Sequence, residues 1–348
     1  MSRGPTVTIA GAGALGLSIA LGLAEAGCLV TVRDPGDRGS ASAVAAGMLA
    51  PVFETVLDDG ASGDINLLLA ARNLWPSLAA RAGVVLDRSG TVAAGSETWL
   101  HEVRAGLARL GVHGSDLPEP MLRDLAPRIA PDLQGLLVRE DWRLEPGPAL
   151  IALRGAAAAA GVQFHAEATR ERGEADWLVI ATGADRSLAD FAPELACLSP
   201  IKGQILSYAG VRSGRVSLRG EGVYAVPGSL GLAVGATMEP GRADTKPDMT
   251  ALAPLIAAAE GMFPGLRGAT FGVAAGVRAA TADGLPLVGL SKTSGVIVAV
   301  GARRNGWLLS PLVARIVTAC AMGRDAGPYA GRLDPARFDQ SRLAGRAT

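Results

Sequence analysis

The sequence predicts an α/β protein (α+β overall) in which one domain is interrupted by pieces of a second domain built on an antiparallel sheet. Short apolar runs typical of buried strands alternate with alanine-rich helical runs at the N-terminus, near residues 150–195 and at the C-terminus. Beyond residue 200 the pattern changes to short strands separated by Gly, Ser and Pro, which indicates an antiparallel sheet. A glycine-rich turn between the first predicted strand and helix favours the α/β interpretation of the first domain.

The elements of the first domain follow from apolar runs and helical periodicity. Strands are predicted at 6–10, 29–32, 177–181 and 296–300. Helices are predicted at 15–26, 64–81, 149–160 and 307–322. We expect this domain to comprise segments 1–88, 141–200 and 273–348.

The second domain is expected to comprise segments 89–140 and 201–272. Its strands are predicted at 201–208, 216–218, 222–226 and 232–236, with a return to strand at 271–277. Helices are predicted at 97–110 and 248–262. The order of the segments means that the two domains interleave along the chain.

The composition argues against a nucleic-acid-binding protein, a membrane protein and a disulfide-rich protein. Lys plus Arg and Asp plus Glu both count 33 among 348 residues, and this balance gives no sign of a nucleic-acid partner. No apolar run reaches the roughly 20 residues that a membrane span needs. The three cysteines, Cys28, Cys197 and Cys320, are widely spaced, so we expect neither a disulfide framework nor a metal site, and a cytoplasmic location fits. A homo-oligomer is left open.

The glycine-rich turn predicts a dinucleotide site. Gly11, Gly13 and Gly16 give the pattern GxGxxG, with Ala12, Ala14 and Leu15 between them. The three glycines permit a tight turn, close approach of a pyrophosphate and close helix–strand packing, and the helix N-terminus offers N–H groups to the phosphates. Asp34 follows the second strand, where a carboxylate accepts hydrogen bonds from ribose hydroxyls. A glycine-rich turn without a ligand is the alternative.

The next segment favours FAD over NAD. A run of small residues, Gly39-Ser-Ala-Ser42-Ala-Val-Ala-Ala46-Gly47-Met48-Leu49-Ala-Pro51, follows Asp34 almost at once. An NAD enzyme usually continues with bulkier helix residues at this point. Small side chains let the backbone approach a flat ring and a pyrophosphate closely.

This segment resembles the flavin-facing motif of ThiO-type glycine oxidases, in the D-amino-acid oxidase and sarcosine oxidase superfamily of FAD-dependent oxidoreductases. Further segments are also similar to that family: Ala181-Thr182-Gly183-Ala184, Pro200-Ile-Lys-Gly-Gln204, Gly222-Val-Tyr224-Ala-Val-Pro227, Val234-Gly-Ala-Thr-Met238, Gly276-Val-Arg278-Ala-Ala-Thr-Ala-Asp283-Gly-Leu-Pro286 and Arg304-Asn305-Gly306. The resemblance spans residues 6 to about 322. It implies a Rossmann-like FAD-binding domain with an interleaved substrate domain.

The resemblance also assigns roles by position. It places Arg278 on the substrate carboxylate, Arg304 at the entrance, and Tyr224 and Met238 in the substrate pocket. It implies noncovalent FAD, held by the following residues: Gly11, Ala12, Gly13, Ala14, Leu15, Gly16, Asp34, Ser42, Ala46, Gly47, Met48, Leu49, Thr182, Gly183, Arg278, Asn305, Gly306 and Trp307. Arg303 departs from the family, which often has an aromatic residue or His there.

Each substrate residue has a purely structural alternative. Arg278 could pair with Asp283 and hold the turn between them, and Arg304 could be a surface arginine in a loop. Tyr224 and Met238 could simply be core residues. The functional interpretation of Arg278 rests on its planar guanidinium, which matches the two oxygens of a carboxylate.

The implied reaction is oxidative deamination of glycine or another small amine or amino acid. Hydride transfer to the flavin leaves an imine, whose hydrolysis gives a 2-oxo acid and ammonia, and oxygen as acceptor gives hydrogen peroxide; the family context is thiamine biosynthesis. Alternatives are a D-amino-acid or sarcosine oxidase or dehydrogenase, an NAD-dependent dehydrogenase, and a flavin-binding protein without turnover. The sequence contains no GxSxG, HExxH or P-loop motif, which disfavours hydrolase and ATPase functions.

Overall fold

The computed structural model describes residues 4–36, 39–57 and 64–338. The predicted domain segments also include residues 1–3, 37–38, 58–63 and 339–348, which lie outside the described ranges. Within those ranges both the α/β part and the antiparallel part form, and the mixed α/β class is confirmed. The exact domain boundaries stay a prediction.

The strands, in chain order, are β1 (Thr6–Ala10), β2 (Leu29–Arg33), β3 (Met48–Leu49), β4 (Thr91–Gly95), β5 (Ser115–Leu117), β6 (Gln134–Val138), β7 (Trp142–Arg143), β8 (Gln163–His165), β9 (Trp177–Ile180), β10 (Ser199–Ala209), β11 (Ser217–Gly220), β12 (Val223–Gly228), β13 (Gly231–Gly235), β14 (Glu239–Pro240), β15 (Gly272–Ala280), β16 (Leu287–Leu290) and β17 (Val296–Val300). The helices are α1 (Ala14–Glu25), α2 (Ala41–Val44), α3 (Pro51–Val56), α4 (Ile65–Ala82), α5 (Glu97–Leu110), α6 (Glu119–Leu125), α7 (Pro146–Ala159), α8 (Met249–Met262), α9 (Gly306–Ala321) and α10 (Ala330–Leu333). Within the described ranges, no helix combines the length and the apolar character needed to cross a bilayer.

Six of the described strands form the sheet of the first domain, in the order β16-β17-β9-β1-β2-β8. The pairs from β17 to β8 are parallel, and β16 is an antiparallel edge strand. Helices α1 and α9 pack against each other on this sheet. Their contact is close because both helices carry small or aliphatic residues on the buried face.

Nine of the described strands form the second sheet, whose order from one edge is β15-β10-β13-β12-β11-β4-β6-β5, with β14 beside the start of β10. The pairs are antiparallel as predicted, except that β11 and β4 run parallel. β4, β5 and β6 lie in the 89–140 segment of the second domain, where no strand is predicted from the sequence. Apolar side chains on one face pack against α8, which gives this sheet its own core.

Several helix ends agree with the residues that flank them. Asp64 caps α4 by accepting a hydrogen bond from the N–H of Leu67, and Gly83 ends it in the left-handed region. Ser96 caps α5 in the same way, and Gly111 ends it. Helix α7 begins at Pro146, three residues before the predicted start, because proline is well placed at the first helical position.

The two-stranded ribbon of β3 and β7 connects the domains. Met48 pairs with Arg143, and Leu49 pairs with Trp142. The Arg143 side chain adds to this connection between the domains. Its Nη2 donates to the carboxylate of Asp87, and its Nη1 donates to the carbonyl of Pro227 in the second sheet. The ribbon therefore holds the small-residue segment between the two sheets.

Candidate active site

The dinucleotide turn lies where β1 ends and α1 begins. Gly11 has a φ of +103°, and a Cβ there would overlap the carbonyl oxygen of Ala181 at the end of β9. A Cβ on Gly16 would overlap the carbonyl oxygen of Gly11. Both positions therefore exclude a side chain because backbone approaches backbone.

Two side chains hold this turn. Asp34 accepts hydrogen bonds from the N–H of Ala12 at 2.6 Å and from the N–H of Gly36 at 2.7 Å. The Ser42 hydroxyl accepts one from the N–H of Ala14 at 3.0 Å. Each carboxylate oxygen of Asp34 has a second lone pair, which could accept a hydrogen bond from a ribose hydroxyl as predicted.

The turn fits a dinucleotide. The first N–H groups of α1 have no acceptor within the helix, and they point out of its positive end. A Cβ on Gly13 would lie 3.0 Å from the Ser42 hydroxyl. Only glycine at this position therefore leaves room for an anionic ligand close to the backbone. These residues would hold the pyrophosphate of FAD.

Four other predicted FAD residues flank the turn. Thr182 and Gly183 follow β9, the neighbour of β1, and the Thr182 hydroxyl donates to the carbonyl of Asp185. Leu15 packs against the core beside the turn. Leu49 is fully buried, so it supports the segment from behind and does not line the cavity.

A cavity of about 330 Å³ lies between the small-residue segment and the second sheet. Its wall brings together residues that are far apart in the chain. Of the predicted site residues, these line it: Ser42, Ala46, Gly47, Met48, Tyr224, Met238, Arg278, Arg304, Asn305, Gly306 and Trp307. Arg303, where the sequence departs from the family, lines it as well.

Trp307 fixes one side of the cavity. Its indole Nε1–H donates to the carbonyl of Ser42 at 3.0 Å, and its ring packs against Trp75 with centroids 6.3 Å apart. Asn305 stands at the N-cap position of α9, and Gly306 is its first residue. The start of α9 is thereby tied to the segment that follows the dinucleotide turn.

Arg278 extends from β15 across the neighbouring strand β10. A Cβ on Gly203 would overlap its guanidinium, so the glycine provides the space in which this group lies. Its Nη1 donates to the carbonyl of Thr237 at 3.2 Å and lies 3.3 Å from the Met238 sulfur. Burial lowers the pKa of Arg278, which reflects the cost of desolvating the cation.

The alternative pairing of Arg278 with Asp283 is wrong. Asp283 forms its ion pair with Arg337 instead, at 2.9 Å. Among the residues that the structure describes, no carboxylate forms an ion pair with Arg278. A partly buried guanidinium without a carboxylate partner is suited to an anionic ligand.

Tyr224 and Met238 lie beside Arg278. A Cβ on Gly235 would overlap the Tyr224 hydroxyl, so a second glycine makes room for this ring. Burial raises the pKa of the Tyr224 phenol. Met238 is 36% exposed and lines the cavity, so its interpretation as an ordinary core residue is wrong.

Arg304 belongs to a buried charge cluster that the sequence did not reveal. Its Nε and Nη2 donate to Oε2 of Glu54 at 2.9 and 2.8 Å, and Nη2 of Arg219 donates to Oε1 at 2.6 Å. Glu54 is 8% exposed, and although burial opposes ionisation, the two arginines lower the pKa of its carboxyl. Arg304 does lie in a turn, but its side chain is only 24% exposed, so the alternative of a surface arginine in a loop is wrong.

Asp141 lies behind this cluster. Its carboxylate accepts hydrogen bonds from the N–H groups of Val52 and Phe53, at 2.8 and 3.0 Å, at the start of α3. Burial raises the pKa of Asp141 to about 7. The residue anchors the helix that carries Glu54.

Most of the chain matches one known protein family. The family model described as DAO, FAD dependent oxidoreductase, matches residues 6–320. The chain belongs to this family of FAD-dependent oxidoreductases. Membership removes the NAD-dependent dehydrogenase from the alternatives.

Individual relatives of this oxidoreductase have modest identity. Glycine oxidase from Bacillus licheniformis is 28% identical over 355 residues, which cover 92% of this chain and 94% of the relative. The bifunctional protein ThiO/ThiG from Synechocystis sp. is 29% identical over 372 residues, 95% of this chain and 54% of the relative. The chain thus spans about half the length of the ThiO/ThiG proteins it matches and nearly all of the glycine oxidase.

A solved structure agrees with this assignment. The crystal structure of glycine oxidase from Geobacillus kaustophilus superimposes with a TM-score of 0.82 at 25% identity, covering 97% of this chain and all of that chain. The fold and the superfamily implied by the sequence resemblance are confirmed. The roles of individual residues stay predictions.

A polar network supports the part of the oxidoreductase that carries Met238. Lys202 is fully buried, and its Nζ donates to the carboxylate of Asp244 at 2.8 Å. The side-chain amide of Gln204 donates to Glu239 at 2.8 Å, and its backbone N–H donates to the Thr237 hydroxyl at 2.9 Å. These bonds fasten the segment that follows β13 onto β10, and so fix the carbonyl of Thr237 that contacts Arg278.

The close contact between Gly203 and Arg278 gives a first prediction. Replacing Gly203 with alanine displaces the guanidinium, and since a misplacement of about 1 Å can cost about a hundredfold, we expect kcat/KM for a carboxylate substrate to fall about tenfold to a hundredfold. Steady-state kinetics with a flavin spectrum test this. The matched control is Gly272→Ala, at an exposed position in β15 where a Cβ meets only ordinary contacts at 4.0 Å. Equal kinetics for the two variants would contradict the proposed position of Arg278.

Proposed function

We propose that this protein is an oxidase of glycine or another small amine or amino acid, with noncovalent FAD as cofactor. The observation that carries the proposal is the partly buried Arg278 guanidinium, which forms no ion pair with a described carboxylate and lines a cavity bounded by the small-residue segment. A planar cation in such a place binds a carboxylate through two hydrogen bonds. The relatives named glycine oxidase support the same reaction class.

The chain would hold FAD through the dinucleotide turn and the small-residue segment. Ser42 and Asp34 lie at the turn, and Gly47 and Met48 lie on the cavity side of the ribbon. Noncovalent binding is supported by the three cysteines, Cys28, Cys197 and Cys320, since none of them lines the cavity. FAD supplies the hydride acceptor for oxidation of the substrate Cα–N bond.

The protein groups act on the substrate by binding and orientation. Arg278 holds the carboxylate and thereby restricts rotation of the α-carbon. Tyr224 and Met238 line the cavity beside Arg278 and bound the space beyond that carbon. Release of the imine and its hydrolysis would give a 2-oxo acid and ammonia, with oxygen as acceptor giving hydrogen peroxide. The resemblance to ThiO-type enzymes extends the proposal to thiamine biosynthesis in the cytoplasm.

A substrate panel tests this function. We expect anaerobic flavin reduction by glycine and sarcosine to exceed that by D-phenylalanine, because each unplaced methylene costs about 1–3 kcal/mol in a tight pocket. Rapid mixing with flavin absorbance measures the rate for each amine, and the ranking separates glycine oxidase from a D-amino-acid or sarcosine oxidase. A flavin that no amine reduces would favour a binding protein without turnover.

A further inference from the structure

Arg219 is a buried arginine in the cavity wall. It lies on β11, directly opposite Tyr224 of β12 in the sheet register, and it is 7% exposed. Its guanidinium carbon lies 5.5 Å from the centroid of the Tyr224 ring. It therefore approaches the substrate space from the side of Tyr224 that faces away from β10.

The hydrogen bonding of Arg219 is incomplete. Nη2 donates to Glu54, but Nε is buried and has no hydrogen-bond partner in the structure. Leaving a buried charged donor unsatisfied is costly. Its ion-pair partner is also shared, since Glu54 accepts hydrogen bonds from Arg304 with its other oxygen. Arg219 lines the cavity and has five N–H donors, of which its bond to Glu54 uses one, so its guanidinium can donate to a ligand acceptor there.

The strand order sets the distance between the two arginines. The guanidinium of Arg278 lies over Gly203 on β10, and the Tyr224 hydroxyl lies over Gly235 on β13. β12 follows β13, and Arg219 leans against the Tyr224 ring from β11. Two strand spacings, about 10 Å, therefore separate the two cations across the sheet. Two carboxylates a few bonds apart would fit between them.

We propose that Arg219 binds a second carboxylate of the substrate, so that the preferred substrates are amino acids with another acidic group on the side chain or on the nitrogen. This inference rests on the proposed function and narrows its substrate class. Arg278 holds the carboxylate next to the oxidised carbon, and Arg219 holds the distal one. Oxidation of the Cα–N bond proceeds as for glycine, and the distal carboxylate takes no part in the chemistry.

The test compares dicarboxylic and monocarboxylic amines on the FAD-loaded enzyme. Anaerobic flavin reduction is measured with iminodiacetate, D-aspartate and L-aspartate, and with glycine and sarcosine. We expect at least one dicarboxylate to exceed both monocarboxylates in kcat/KM. Replacing Arg219 with methionine should lower the ratio of dicarboxylate to glycine kcat/KM about tenfold to a hundredfold, as expected for a lost charge-assisted hydrogen bond.

Two further variants make the result specific. Arg219→Lys keeps the charge and should restore part of the ratio. Arg215→Met removes an arginine that is 72% exposed and pairs with Asp124 outside the cavity, and should leave the ratio unchanged. A wild-type enzyme that prefers glycine or sarcosine to every dicarboxylate overturns the role of Arg219 but leaves the oxidase function standing. Absence of reduction by any amine overturns both.

Discussion

We expect replacement of Arg278 with methionine to lower kcat/KM for glycine by about 150-fold to a few thousandfold, because the bound carboxylate would lose its paired cation, and removing one partner of a buried charge pair costs about 3–5 kcal/mol. The carboxylate would otherwise enter a cavity in which the arginine contacts Gly203, the Thr237 carbonyl and Met238. It would lose its hydration without gaining a bidentate partner. Steady-state oxidation of glycine by the variant measures the effect.

The flavin spectrum of the same variant serves as its control. FAD content should stay near that of the wild type, because the guanidinium lies over β10 in the substrate part of the cavity. Arg278→Lys should recover only part of the activity, since an ammonium lacks the planar fork. Near-normal kinetics for Arg278→Met would mean that another arginine of the cavity wall binds the substrate carboxylate. An apoprotein would instead assign Arg278 to the cofactor.

A valine at Gly13 weakens FAD binding by about fivefold to 150-fold, since overpacking costs about 1–3 kcal/mol and each 1.4 kcal/mol is a factor of ten. The smallest side chain at this position already lies 3.0 Å from the Ser42 hydroxyl. That hydroxyl also accepts a hydrogen bond from Ala14, so it cannot simply turn away. Flavin fluorescence titration of the apoprotein gives the dissociation constant.

The control for this variant is Gly155→Val. Gly155 lies on the exposed face of α7, and a Cβ there meets nothing within 4 Å. It introduces the same side chain into a helix of the same domain, so any general loss of stability appears in both variants. Unchanged FAD affinity in Gly13→Val would contradict the assignment of the pyrophosphate to this turn.

Much of the fold follows from local signals in the sequence. The buried strands of the first sheet are continuous apolar runs, and α5 was predicted with the bounds that the structure has. Short elements such as α2 and the ribbon strand β3 were missed because they consist of small residues without a period. Their conformation depends on contacts with Arg143 and Trp307 from elsewhere in the chain.

The site was less accessible to sequence reasoning. Arg278, Tyr224 and Met238 could be proposed because they stand in motifs that resemble a family. Glu54 and Arg219 have no such motif, and their ion pair joins residues 165 positions apart. Nothing local distinguishes them from solvated surface charges. Glu54 stands three residues after Pro51, which ends the small-residue segment and starts α3, and this position is the one available signal.

The parallel pairing of β9 with both β1 and β17 has a consequence for how the chain is assembled during synthesis. β1 and β2 leave the ribosome before the other strands of this sheet, but β9 arrives about 170 residues later, and its other neighbour, β17, begins at Val296. Until then each nascent strand has an unpaired edge, which is a template for wrong association. The start of α9, which bonds to Ser42, is made later still. The cofactor pocket is therefore completed only once α9 has been made, so FAD capture must follow the synthesis of this helix.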